Sequence, residues 1–106
     1  MNQWEYVAAN VPMPLAMGER LYTVYQFLDL LNHRGAAFVR PDLSLAGGIT
    51  NIKKIAAIAE ANYVGVVPHN PLSAVLTAAC VQLDAATHNI PVQEYPSDDA
   101  TGVKAD

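Results

Sequence analysis

With 106 residues, 52% of them hydrophobic and 15% charged, the chain has apolar material for one modest core and too much of it for a disordered or fibrous segment. Six lysines and arginines against ten acids leave a net charge of −4 with no basic stripe beyond Lys53-Lys54, which excludes nonspecific nucleic-acid binding. The single cysteine, Cys80, excludes a disulfide framework within one chain and fits a reducing cytoplasm, and no apolar run reaches the ~18 residues of a membrane span.

The first fourteen residues begin with a short helical stretch, stopped by Pro12 and Pro14, and show no basic region followed by an apolar core. A first strand, Leu15 to Gly18, ends at Glu19-Arg20. Thr23 with Gln26 three residues later forms a capping box and predicts a helix over 24–33, with Val24, Phe27, Leu28 and Leu31 as its buried stripe. Gly35 stands where a left-handed residue ends such a helix. The apolar run 36–39 is a second strand, stopping at Arg40-Pro41-Asp42.

Gly47-Gly48 makes a tight turn; it lacks the GxGxxG and GKS/T patterns of phosphate loops. Thr50 is the expected cap of the next helix, whose buried stripe is Ile52, Ile55, Ala56 and Ala59. A third strand, 63–67, stops at Pro68-His69. Asn70-Pro71 then reads as a cap and first-turn proline, opening a helix lined by Leu72, Val75, Leu76, Ala79 and Leu83, with Cys80 packed in the core. A short fourth strand, Ile90 to Gln93, ends at Glu94, and the polar residues 96–106 are expected to form a flexible tail behind one segment, 1–95.

Glu19, Asp42, His69 and Glu94 lie 23, 27 and 25 residues apart, one strand-plus-helix unit each time. Runs that are apolar on both faces suit parallel strands covered by crossover helices, so the chain is α/β, and the residues after each strand gather at one edge of the sheet. One ionisable side chain per strand is how a (β/α) barrel equips its catalytic face; a doubly wound sheet is the alternative. Four such units are half of an eight-stranded barrel, so the expectation is a carboxyl-terminal portion of a TIM-type (β/α)7β barrel, about four strands and three helices. Its two open edges call for the missing amino-terminal part of the barrel or for other copies of the chain, as a homo-oligomer.

The segments PLAMGERLYT, VRPDLSLAGGITNIKKIAAIAEA, VVPHNPLSAVLTAACVQLDAA and PVQEYP, within roughly residues 8–96, carry a resemblance. Together they resemble the carboxyl-terminal barrel segment of the enolase superfamily, in its mandelate racemase subgroup, among the galactonate dehydratase-like sugar-acid dehydratases. The resemblance implies a hydro-lyase that uses Mg²⁺ and passes through an enolate to convert an aldonate to a 2-keto-3-deoxy acid. It implies that Glu19 is a metal ligand after the fifth barrel strand and that Asp42 and His69 are a catalytic dyad. It also implies that Glu94 contacts the substrate. The chemistry suits these types: a cation with oxygen ligands offsets a dianionic intermediate, and an imidazole backed by a carboxylate protonates a departing hydroxide.

Nothing in the chain matches the family's first two metal ligands, the basic residues of its second strand or its capping domain. The chain alone is therefore expected to bind Mg²⁺ weakly and to show no turnover. Two rivals stand beside the dehydratase: a racemase or cycloisomerase of the same superfamily, and a truncated, non-catalytic chain that folds by self-association. Each residue also has a structural account, Glu19 as an acid at a helix amino terminus and Asp42 as a turn residue. His33 and His88 sit near helix ends and are assigned no site.

Overall fold

In the computed structural model, which describes residues 3–71 and 73–96, helices and short strands alternate. The order is α1 (Gln3–Asn10), β1 (Ala16–Met17), α2 (Val24–Asn32), β2 (Phe38–Val39), α3 (Gly48–Ala61), β3 (Gly65–Val66) and α4 (Ala74–Ala85). The strands form one parallel sheet in the order β1-β2-β3, each crossover made by the intervening helix.

Register divides the sheet into two rows. Ala16, Phe38 and Gly65 pair side by side, as do Met17, Val39 and Val66. Successive strand residues face opposite ways, so Met17, Val39 and Val66 meet the helices while the Ala16 row looks out on the uncovered side. Val39 and Val66 are fully buried with Phe27 and Leu30 of α2, Ile52, Ile55 and Ala59 of α3, and Cys80 and Leu83 of α4. The pairing of β2 with β3 runs on past both strands: Val67 N–H donates to Val39 O at 2.9 Å and His69 N–H to Pro41 O at 3.0 Å. An isolated parallel bridge then joins Asp42 to His69.

Local signals held where the side chain and its partner are close in sequence. Thr23 caps α2 as expected, its hydroxyl accepting from Gln26 N–H at 3.1 Å while Gln26 Oε1 accepts from Thr23 N–H at 3.2 Å. The α3 stripe of Ile52, Ile55, Ala56 and Ala59 is buried throughout, and α1 forms where a short helix was expected.

Several expectations are corrected. Leu30, not Leu28, completes the α2 stripe, because the sheet lies against the side of the helix that carries Phe27, Leu30 and Leu31. The left-handed residue after α2 is Arg34, at φ 51°; Gly35 is small for another reason, since a Cβ there would sit 2.7 Å from Trp4 Cβ. Thr50 lies inside α3, which starts two residues earlier behind Gly47 at φ 91°. Asn70 is not a cap: α4 begins at Ala74 behind Ser73, whose hydroxyl accepts from Leu76 N–H at 3.2 Å. Val75 points to solvent, and Leu72 lies outside the described residues.

The expected fourth strand does not form among the described residues. The stretch 89–94 runs beside β3 but touches it through one backbone bond, Val66 N–H to Asn89 O at 2.8 Å, and then through side chains, with Gln93 Nε2 donating to Pro68 O at 3.2 Å. Pro91 has no N–H to offer a ladder. Residues 97–106, most of the expected tail, lie outside the described residues.

Candidate active site

The carboxyl ends of β2 and β3, with the stretch 89–94 beside them, bring Arg40, Asp42, His69 and Glu94 together at one edge. Asp42 follows β2 after the rigid Pro41, and its carboxylate is almost fully buried, at 2% exposure. Its Oδ1 accepts from Ser44 N–H at 2.8 Å and from Ser44 Oγ at 2.5 Å, an Asx turn that orients the other oxygen. Oδ2 lies 3.1 Å from Nδ1 of His69. An ionised carboxylate can only accept, so Nδ1 carries a hydrogen toward Asp42 and Nε2 is the nitrogen left to exchange a proton.

Glu94 closes the far side. Its Oε1 accepts from Asn70 N–H at 2.9 Å and stands 3.8 Å from His69 Nε2, while Oε2 pairs with the guanidinium of Arg40. Asn70, fully buried, ties this segment to α4: its Nδ2 donates to Thr77 Oγ1 at 2.8 Å and to Glu94 O at 3.2 Å. Ser44, Asp42, His69, Glu94 and Arg40 thus form one continuous polar chain across the sheet edge. Cys80 of α4 lies behind it, and burial, followed by the charges of Asp84, Asp42 and Glu94, pushes its thiol up to about 11. It stays a neutral thiol at ordinary pH.

Of the four predicted residues, Asp42, His69 and Glu94 come together. Glu19 shares their edge of the sheet, after β1, but lines a separate hollow of about 190 Å³ with Trp4, Met17, Leu21 and Leu30. Gly18, at φ 122° and with Phe27 Cε1 only 2.6 Å from where a Cβ would stand, makes the turn that puts it there. Among the described residues no three His, Cys, Asp or Glu side chains stand together as ligands for a cation, so the residues present do not by themselves fit a resident Mg²⁺. The hollows lined by Tyr63, Val64 and His88 or by Arg34 and Asn62 lie at the opposite ends of the strands, away from this chemistry.

Arg40, Ser44, Asn70 and Thr77 belong to the site and were not singled out as functional from the sequence. Ser44 was legible, since a hydroxyl two residues after an aspartate is an Asx-turn pattern. Arg40 shares the alternation of Phe38 and so faces the uncovered side, but its partner is 54 positions away.

Parallel strands joined by helices, with ionisable residues gathered at their carboxyl edge, define a piece of a (β/α) barrel. The chain belongs to the enolase C-terminal domain-like family, whose model matches residues 1–106. It is 50% identical over 88 residues to a D-galactonate dehydratase of Variovorax paradoxus, covering 83% of this chain and 23% of that protein. With a D-galactonate dehydratase of Xanthomonas oryzae pv. oryzae the figures are 49% over 96 residues, 88% and 25%. Among solved structures, an enolase from Agrobacterium radiobacter with sodium and L-malate bound superposes with a TM-score of 0.85 at 42% identity, covering 87% of this chain and 23% of that one. An enolase-superfamily member from Salmonella Typhimurium gives 0.87 at 30% identity, covering 91% and 24%. The chain therefore spans about a quarter of the length of these relatives.

Proposed function

We propose that this chain supplies the later part of the catalytic barrel of a sugar-acid dehydratase acting on a galactonate-like aldonate. The observation that carries the reading is the Asp42–His69 contact at the carboxyl edge of the sheet, in a chain half identical to D-galactonate dehydratases. The reaction removes the proton on the carbon next to the carboxylate and the hydroxyl on the following carbon, and the resulting enol tautomerises to a 2-keto-3-deoxy acid. His69 is the acid: its Nε2 delivers a proton to the departing hydroxide, which leaves as water. Asp42 holds the ring with Nδ1 inward and stabilises the imidazolium that exists before the transfer. Glu94, beside Nε2, contacts the substrate.

The base that takes the α-proton, and the ligands that complete the Mg²⁺ site around Glu19, belong to the part of the barrel outside this chain. By itself the chain is expected to bind Mg²⁺ weakly. The L-malate bound to the Agrobacterium relative, itself a 2-hydroxy acid, supports a hydroxycarboxylate substrate here. Among the described residues no helix is long and apolar enough to cross a membrane. The single Cys80 supports a reaction in a reducing cytoplasm.

The test is complementation. The chain is mixed with a polypeptide carrying the preceding part of a relative's barrel, and Mg²⁺-dependent release of a 2-keto acid from galactonate is followed. Activity that His69→Asn abolishes supports the reading; a tight complex with no turnover on any aldonate refutes it. A second reading, a non-catalytic chain that self-associates, is favoured by the uncovered Ala16–Phe38–Gly65 row. Light scattering showing a stable homo-oligomer that refuses the complementing segment would select it.

A further inference from the structure

Arg40 has no part in the chemistry proposed for His69, yet it ends the polar chain and holds its last acid, Glu94. It leaves β2 directly after Val39, on the Phe38 side of the sheet, and reaches past His69 to Glu94. The two side chains are 23% and 32% exposed. Among the described residues the buried Nε of Arg40 has no hydrogen-bond partner, which costs free energy that a purely stabilising ion pair does not readily recover.

The two oxygens of Glu94 are used differently. Oε1 takes the Asn70 N–H at 2.9 Å and faces His69 Nε2, whereas Oε2 belongs to the guanidinium. The last torsion of a glutamate is soft, so one N–H alone leaves the carboxylate free to turn. Arg40 Nη2 takes the second oxygen, so the two contacts together, Asn70 N–H on Oε1 and Nη2 on Oε2, fix the plane of the carboxylate.

We infer that Arg40 is a positioning residue, which clamps Glu94 so that one carboxylate oxygen stays at the proton-transfer nitrogen of His69 and the Asn70 amide. The functional weight of this clamp rests on the roles proposed for His69 and Glu94, but its geometry does not. The first arm of the test is therefore independent of activity. Amide spectra of the full chain are compared with those of Arg40→Met, Arg40→Lys and Arg34→Met. Release of Glu94 should move the Asn70 amide proton upfield and speed its exchange about tenfold in Arg40→Met, with Arg40→Lys in between and the distant Arg34→Met unchanged. Glu94→Gln, which keeps the volume and the backbone, should move the same amide and gives the readout if Arg40→Met unfolds.

The second arm uses the complemented barrel. Arg40→Met is expected to raise KM for the aldonate about tenfold, with kcat changed less than threefold and Tm little altered, and Arg40→Lys to restore most of the loss. In the Glu94→Gln background the same substitution should change KM less than twofold, because its target has gone. An unmoved Asn70 amide, or a lowered Tm with unchanged KM, would overturn the assignment. If the complemented barrel turns over nothing while the Asn70 signature still responds to Arg40, the dehydratase reading fails and the clamp stands.

Discussion

Asp42→Asn isolates what the buried carboxylate does for the imidazole, because the substitution keeps the shape of the side chain and removes its charge. Asp42 Oδ1 is satisfied twice by Ser44, so Oδ2 alone addresses His69 Nδ1, at 3.1 Å. A hydrogen bond to a charged group contributes roughly 1.5–3 kcal/mol, which corresponds to roughly a tenfold to hundredfold preference for the tautomer with its hydrogen on Nδ1. An asparagine can turn its NH2 toward the ring and reward the opposite tautomer. Long-range 15N–1H spectra, taken well above the ordinary imidazole range so that the neutral ring is observed, report which nitrogen carries the hydrogen. The expected result is Nδ1–H in the parent and a mixed or inverted population in Asp42→Asn, with a stability loss of about 1–2 kcal/mol in urea. Identical tautomers in both proteins would refute the argument that Asp42 orients His69.

Other outcomes follow from the same structure. Cys80, buried and with its thiol pushed up to about 11 from 9.0, should react with a thiol reagent at pH 8 on the order of a hundredfold slower in the folded chain than in denaturant; equal rates would contradict its burial. A raised acid loses stability as pH climbs from its unfolded to its folded value, so the fold should weaken between pH 9 and about 11 and Cys80→Ala should lose less there. Burial likewise raises Asp84 above the ordinary aspartate range, and among the described residues its Oδ1 has no partner. Its contribution is therefore present in acid and lost as pH rises through the folded value; Asp84→Asn should leave Tm unchanged or higher at pH 7, with less difference at pH 3. Phe27→Ala removes a fully buried ring beneath Gly18 and should cost about 3–5 kcal/mol in urea denaturation, much of a small fold's stability.

The sequence by itself determined the cap of α2, the buried face of α3 and the ionisable residue that follows each of the three strands. The Thr23–Gln26 box, the Ile52–Ala59 stripe and the strand ends rest on contacts within a turn of helix or on the two-residue alternation of a strand, which neighbours in the chain specify. The spacing of Asp42 and His69 implied adjacency, and parallel register delivered it through one more pair of backbone bonds beyond β2 and β3. Tertiary structure decided the rest. Asn70 became a buried tie to α4 instead of a cap because its side chain gained Thr77 Oγ1 and Glu94 O. Arg40 found its partner at Glu94, 54 positions on, only because β2 and the stretch after α4 flank the same strand. Such pairs depend on which strands lie side by side and in what register, a property of the whole sheet that no window of sequence carries.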